Sequence, residues 1–280
     1  MSALLQPLAD ILLRSGALDI SRYDAVFLEK SLQKRMAATA CRTIEQYTSL
    51  LERHQDEAQQ LVDSLCNSYS VFFRNPLTFA VLERIVLPQL IGQKNSNRRK
   101  EIRIWSTACA SGQEAYSLAI LLEELHRNQN GNFDYRLFAT DHCQQQIDQA
   151  RRGQYSAAAL DHLSLKRERE WFTRQGEVYT IHPRLRDKVD FSVFDLFSDH
   201  LSCPPASIFG DFDLVVCANL LFYYNRPWQE FLLEKIGNCL IDGGFFVTGE
   251  AERDIVSQYH YHEIYPQSGI FRLHTSARST

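Results

Sequence analysis

The chain has 280 residues, which suits one large domain or two, and 45% of them are hydrophobic, which excludes a disordered protein. Its net charge of −4 argues against a nucleic-acid surface spread over the whole chain. The seven cysteines are scattered, odd in number and never spaced C-x-x-C, so they read as reduced thiols, not as a disulfide framework or a zinc site.

The opening stretch "MSALLQPLADILLRSG" lacks a basic start and a cleavage site, and no run of 18 apolar residues follows. We therefore expect no secretion, no membrane insertion and a cytoplasmic location. Residues 1–70 carry helix periodicity alone. "QPLADILLRSG" and "ISRYDAVFLEKSLQKRMAATA" repeat apolar residues at three-and-four spacing. "TIEQYTSLLERH" opens on Thr43 as a cap, with Gln46 three residues on as in a capping box, and "DEAQQLVDSLCNSY" gives a fourth helix. The pattern predicts another helix over 75–93, with Pro76 in its first turn and Pro88 near its end. "GQKNSNRRKE" is a polar connection whose Arg98-Arg99-Lys100 patch has no interleaved aromatics.

After residue 100 the pattern changes to strand–helix alternation. Strands are predicted at 102–108, 135–141, 190–196, 212–218 and 244–249, and helices at about 112–127, 143–152 and 227–240. Apolar strands alternating with helices specify a parallel sheet covered on both faces. Near the end, "YHEIYPQ" and "IFRLHT" flank Ser268-Gly269 as a hairpin. Residues 155–189 break the rhythm with a helix and the strand-like "EVYTI" after Gly176, which reads as an inserted helix plus a small β element, with a surface elaboration as the plainer reading.

In such a sheet ligands bind beyond the carboxyl ends of the strands. The first strand delivers Ala108-Cys109-Ala110-Ser111-Gly112, small residues that let a ligand approach the backbone. The second ends at Asp141, placed to accept ribose hydroxyls; the third ends at Asp195 and the fourth at Asn219 and Tyr223. A dinucleotide turn wants three glycines, and this one has Gly112 alone, followed by the acid Glu114. Glu114 would repel a pyrophosphate but attract a cation. S-Adenosylmethionine, cationic and free of phosphate, fits that pattern better than NAD. Each acid also has a plainer reading, as a cap or a complement to the helix dipole.

Five motifs, "SYSVFFRNPLTFAVL" (68–82), "IRIWSTACASGQEAYSLAILL" (102–122), "FATD" (138–141), "QARRGQYS" (149–156) and "FDLVVCANLLFYYN" (212–225), resemble the chemotaxis receptor methyltransferases, the CheR family. The resemblance implies an N-terminal all-helical domain at 1–70, a linker helix and loop at 71–100, and at 101–280 a Rossmann-like class I methyltransferase domain with a mixed seven-stranded sheet and a small β insertion. It implies methyl transfer from S-adenosylmethionine to glutamate carboxylates on the cytoplasmic helices of chemoreceptors, by a monomer with no nucleic-acid partner. Carried over residue by residue, it places Ser68, Ser70, Arg74, Ala108, Glu114, Asp141, Asp195, Leu196, Cys217 and Ala218 at the cofactor, and Arg74 with Tyr223 at the methyl acceptor. Ser68, Asp195 and Ala218 depart from the family's usual Asn, Asn and Arg. Those departures keep open a ligand-binding module without turnover, and a methyltransferase for RNA or a small molecule is the other alternative. Lys30 and Lys34 share a helix face, with Arg35 and Arg42 nearby, as a basic surface for an acidic receptor helix. The glycine turn of "TRQGEVYT" is short, which suggests a member that does not rely on a receptor's C-terminal peptide.

Overall fold

A computed structural model describes residues 5–14, 19–65, 69–95, 101–198, 200–207 and 210–273. The chain divides into two compact units, Met1–Asn67 with Phe222–Glu230, and Ser68–Leu221 with Phe231–Thr280.

The first unit is helical: α1 (Gln6–Arg14), α2 (Ala25–Ala38), α3 (Ile44–Arg53) and α4 (Gln55–Leu65). Their starts are set by side chains that accept otherwise unpaired amides. Asp24 accepts from Val26 and Phe27, and Thr43 accepts from Gln46. The Gln46 side chain reaches back to accept the amide of Arg42, one residue beyond the Thr43 amide that a reciprocal capping box would use. Leu8, Leu12, Leu28, Leu32, Leu51 and Leu61 are buried on the facing stripes. Tyr47, fully buried, donates its hydroxyl to Glu57 at 2.7 Å, and Arg35 grips the same carboxylate with Nε at 3.0 Å and a second nitrogen at 2.6 Å. Arg35 is therefore a structural partner of Glu57 and not part of a solvated basic face; Lys30, Lys34 and Arg42 remain exposed. Phe222–Glu230 completes this unit: Tyr224 packs on Tyr23 with ring centroids 5.2 Å apart, and the amide of Asn225 donates to the Arg22 carbonyl at 2.9 Å.

The second unit begins with a helical run of α5 (Pro76–Val81), a π segment (Leu82–Val86) and α6 (Leu87–Asn95). The sequence predicted one regular helix here. Pro88 has no N–H and its ring crowds the carbonyl four residues back, so the chain widens just ahead of it, with the Leu87 amide bonding five residues back to Leu82.

Strands β1 (Glu101–Ser106) and β2 (Asp134–Asp141) then flank α7 (Gln113–Asn128), and α8 (Gln144–Arg152) follows. The insertion contains β3 (Gln154–Ser156), α9 (Leu165–Trp171), β4 (Phe172–Gln175), β5 (Val178–Ile181) and α10 (Pro183–Arg186). After it come β6 (Val189–Val193), β7 (Phe212–Val216), α11 (Arg226–Cys239), β8 (Leu240–Val247), α12 (Arg253–Val256), β9 (Tyr261–Glu263) and β10 (Ile270–Leu273). The main sheet has seven strands in the order β6-β2-β1-β7-β8-β10-β9, parallel except at β10, which runs antiparallel to both neighbours. The terminal hairpin thus forms as the sequence predicted. Residues Ala115–Glu123 of α7 are buried without a break. Each of its large apolar side chains contributes about 1.5–3 kcal/mol on removal from water.

The insertion is no surface elaboration. It folds into a three-stranded antiparallel sheet, β3-β5-β4, whose Tyr155 and Phe172, with Trp171 at the end of α9, are buried in the main core. Arg167 of α9 reaches both Glu83 and Glu124 at 2.7 Å and lies over the Phe73 ring.

Candidate active site

Because β2 leaves β1 on one side and β7 on the other, the strand order reverses at β1. The crevice that this reversal opens lies at the carboxyl ends of β1, β2 and β7.

The turn Thr107–Gly112 is pinned from three directions. The Thr107 amide donates to Val216 and the Cys109 amide to Thr140, both at 2.9 Å, while Tyr155 of the insertion donates its hydroxyl to the Ser111 carbonyl at 2.8 Å. Gly112 has φ +92°, and a Cβ there would stand 2.9 Å from that of Ala150, so no other residue fits.

Asp141 is buried. One oxygen accepts the Ala110 amide at 3.0 Å and the other the Cys143 amide at 2.9 Å. It thus locks the turn after β1 to the end of β2, and an anionic phosphate would find the Ala110 amide already taken. Glu114, half-buried in the first turn of α7, accepts the Ser106 hydroxyl at 2.7 Å. Desolvation pushes its carboxyl up to about 7; the Ser106 hydrogen bond opposes that, the Glu252 charge adds to it and the Arg74 charge opposes it. A desolvated acid with no hydrogen-bonded cation among the described residues suits a positively charged ligand.

Arg74, half-buried, donates to the Tyr69 carbonyl at 3.0 Å and lies over the Tyr69 ring. Phe73 and Asn75 on either side of it have φ of +52° and +62°. Four of the eight non-glycine residues with positive φ among the described residues stand in this region: Phe73, Asn75, Ala110 and Asn219. Such conformations cost of order 1–3 kcal/mol each and gather where function over-determines the backbone.

The structure brings Arg74, Ala108, Glu114, Asp141, Cys217 and Ala218 to the carboxyl-end side of one unit, with half-buried Ser70 leading into Arg74. Cys217 is fully buried, its thiol pushed well up by desolvation and by the Glu252 charge. Asp195 is exposed and accepts the Phe197 amide at 2.9 Å, while Leu196 is buried and its carbonyl accepts from Lys235 at 2.8 Å. Tyr223 belongs to the other unit, its ring 4.7 Å from Phe27 and its carbonyl accepting the Asp24 amide at 2.8 Å. Ser68 lies outside the described residues. The sequence reading missed Ser106 and Glu252. The first is an inward-facing strand residue with no motif; the second would have surfaced had the fifth strand end, "VTGEAE", been inspected like the other four.

A seven-stranded sheet with an antiparallel terminal hairpin, and acids in place of a glycine-rich phosphate turn, define a class I S-adenosylmethionine-dependent methyltransferase. Residues 68–268 match the CheR methyltransferase SAM-binding domain and residues 3–66 the CheR methyltransferase all-alpha domain. The chain belongs to the CheR methyltransferase family. It is 30% identical over 216 residues to chemotaxis protein methyltransferase 1 of Pseudomonas aeruginosa, covering 76% of each chain. It is 28% identical over 240 residues to the chemotaxis protein methyltransferase of Listeria innocua, covering 86% of each. No helix among the described residues is long and apolar enough to cross a membrane.

Proposed function

We propose that this enzyme methylates glutamate side chains on the cytoplasmic helical region of chemoreceptors, giving glutamate methyl esters. The observation that carries this reading is the family match over the whole of 68–268. S-Adenosylmethionine, when bound, supplies a methyl group on a positively charged sulfur, and a carboxylate that accepts it becomes an ester with no proton to move.

The chain's own residues hold and aim. Glu114 faces the positive end of the cofactor and Asp141 its ribose, with Ser70, Ala108, Asp195, Leu196, Cys217 and Ala218 as further contacts. A glutamate acceptor is already ionised at neutral pH, with an ordinary pKa of about 4.3, so no general base is needed. Its carboxylate must be desolvated and aligned, and such alignment supplies about 7–11 kcal/mol of the barrier reduction. Arg74 presents a planar fork that matches a carboxylate and, backed by two left-handed neighbours, costs little to orient at the moment of reaction. The family resemblance makes Tyr223 the active-site tyrosine, and its hydroxyl and ring suit a hydrogen bond to the acceptor carboxylate and packing near the sulfonium. The exposed Lys30 and Lys34 suit an acidic receptor helix, and the enzyme acts as a monomer in the cytoplasm.

The test is transfer of labelled methyl from S-adenosylmethionine to receptor cytoplasmic fragments. Alkali should release the label as methanol, which marks an ester and separates this activity from N-methylation; alkali-stable label would refute the proposal. Arg74→Ala should lower turnover about a hundred-fold or more, with thermal unfolding close to that of the parent. The alternative of a binding module without turnover is not favoured by the family match.

A further inference from the structure

The short helical turn after β8 carries Glu252, an acid with no accessible surface. Four donors reach its carboxylate among the described residues. The amides of Asn219 and Leu221 donate at 2.7 and 2.6 Å, the Gly249 amide at 2.9 Å and the Thr248 hydroxyl at 2.8 Å. Backbone N–H groups only donate, so both oxygens act as acceptors, which is the role of an ionised carboxylate. All four donors are neutral, so the negative charge is solvated by dipoles but not cancelled.

Two consequences follow. Asn219 and Leu221 belong to the segment that leaves β7, just after Cys217 and Ala218, and Asn219 is held there at φ +62°. Two of the hydrogen bonds tie that segment to the end of the neighbouring strand, fixing it from 31 and 33 residues away. The charge also reaches across the crevice. The groups acting on Glu114 are Ser106 on β1, Arg74 before α5 and Glu252 after β8, and the thiols of Cys109 and Cys217 feel Glu114 in turn. Among the described residues acting on Glu114, the cation Arg74 thus stands beside one further acid, and a ligand bringing positive charge relieves the repulsion between Glu114 and Glu252.

We propose that Glu252 is a positioning residue of the methyl-transfer site: it fixes the Ala218–Leu221 segment by hydrogen bonds and supplies part of the negative field that distinguishes the charged cofactor from its uncharged-sulfur product. The proposal rests on the reading of the site as a methyltransferase centre.

The experiment compares calorimetric binding of S-adenosylmethionine and S-adenosylhomocysteine to the full-length parent, Glu252→Gln and Glu252→Asp, alongside turnover. Glu252→Gln removes the charge and should weaken S-adenosylmethionine about ten-fold more than S-adenosylhomocysteine. It should also move the pH midpoint of binding below the parent's, because Glu114 loses a repelling neighbour. Glu252→Asp keeps the charge but shortens the reach to the Asn219 and Leu221 amides. It should retain the parent's preference and midpoint while turnover falls about ten-fold. A folded Glu252→Gln with parental preference and midpoint overturns the field role. A Glu252→Asp with parental turnover overturns the positioning role, and this arm stands alone if Glu252→Gln does not fold. A parent that binds neither compound would instead overturn the methyltransferase reading itself.

Discussion

Glu57 in the helical unit and Glu114 in the sheet unit are both acids in largely buried settings, and they are treated in opposite ways. Burial pushes Glu57 up, but the Arg35 and Tyr47 hydrogen bonds and the Arg35 charge outweigh it, and its pKa is lowered. Among the described residues Glu114 receives one hydroxyl and no bonded cation, and desolvation carries its carboxyl up to about 7. An acid supplied with its own cation belongs to the architecture; an acid left without one waits for a cation from outside. The contrast separates structural from functional charge without reference to any motif.

Cutting the first pair should have the largest effect. Glu57→Ala removes the ion partner of Arg35, leaving it Gln60 at 2.7 Å, and unpairs the buried Tyr47 hydroxyl; it should cost about 3–5 kcal/mol of stability, read by thermal or urea unfolding, with cofactor affinity per folded molecule unchanged. Glu114→Gln should do the reverse. It relieves a desolvated charge, so stability holds or rises, while affinity for S-adenosylmethionine falls about ten-fold to a hundred-fold by calorimetry.

Next comes pH. Glu114 has a raised pKa, so the folded chain without cofactor binds more protons than the unfolded one, and this contribution to stability declines as pH rises from 4.5 to about 7. Glu57 has a lowered pKa, so its contribution is complete above 4.5 and is lost as pH falls through its folded value. Cofactor affinity should therefore climb between pH 6 and 8 (about one unit either side of the Glu114 midpoint), and Glu114→Gln should flatten that climb. The smallest expected effect is Asp141→Asn, which keeps an acceptor for one amide and should weaken binding about three-fold to ten-fold.

The sheet was legible because each strand is a short apolar run and each helix a periodic one; the strand-end rule then singled out Asp141 as a candidate, and the glycine-poor turn after β1 singled out Glu114. What the sequence hid is non-local. Arg35 reads as a surface charge until Glu57 is seen to meet it from another helix. Tyr155 looks like loop filler until its hydroxyl is found holding the Ser111 carbonyl. The π segment arises from Pro88 and its backbone context, which spacing alone does not encode.

Residues Phe222–Glu230 have a further consequence for how the molecule is made. The helical unit includes a piece of chain that is synthesised only after residues 68–221, so Tyr23 waits at the ribosome for Tyr224. At about 5–20 residues per second that delay is roughly ten to forty seconds. The amino-terminal unit is the first to be started but is complete only once Glu230 has been added, after most of the sheet unit has been made, and a fragment cut at Asn67 would lack part of its own interior.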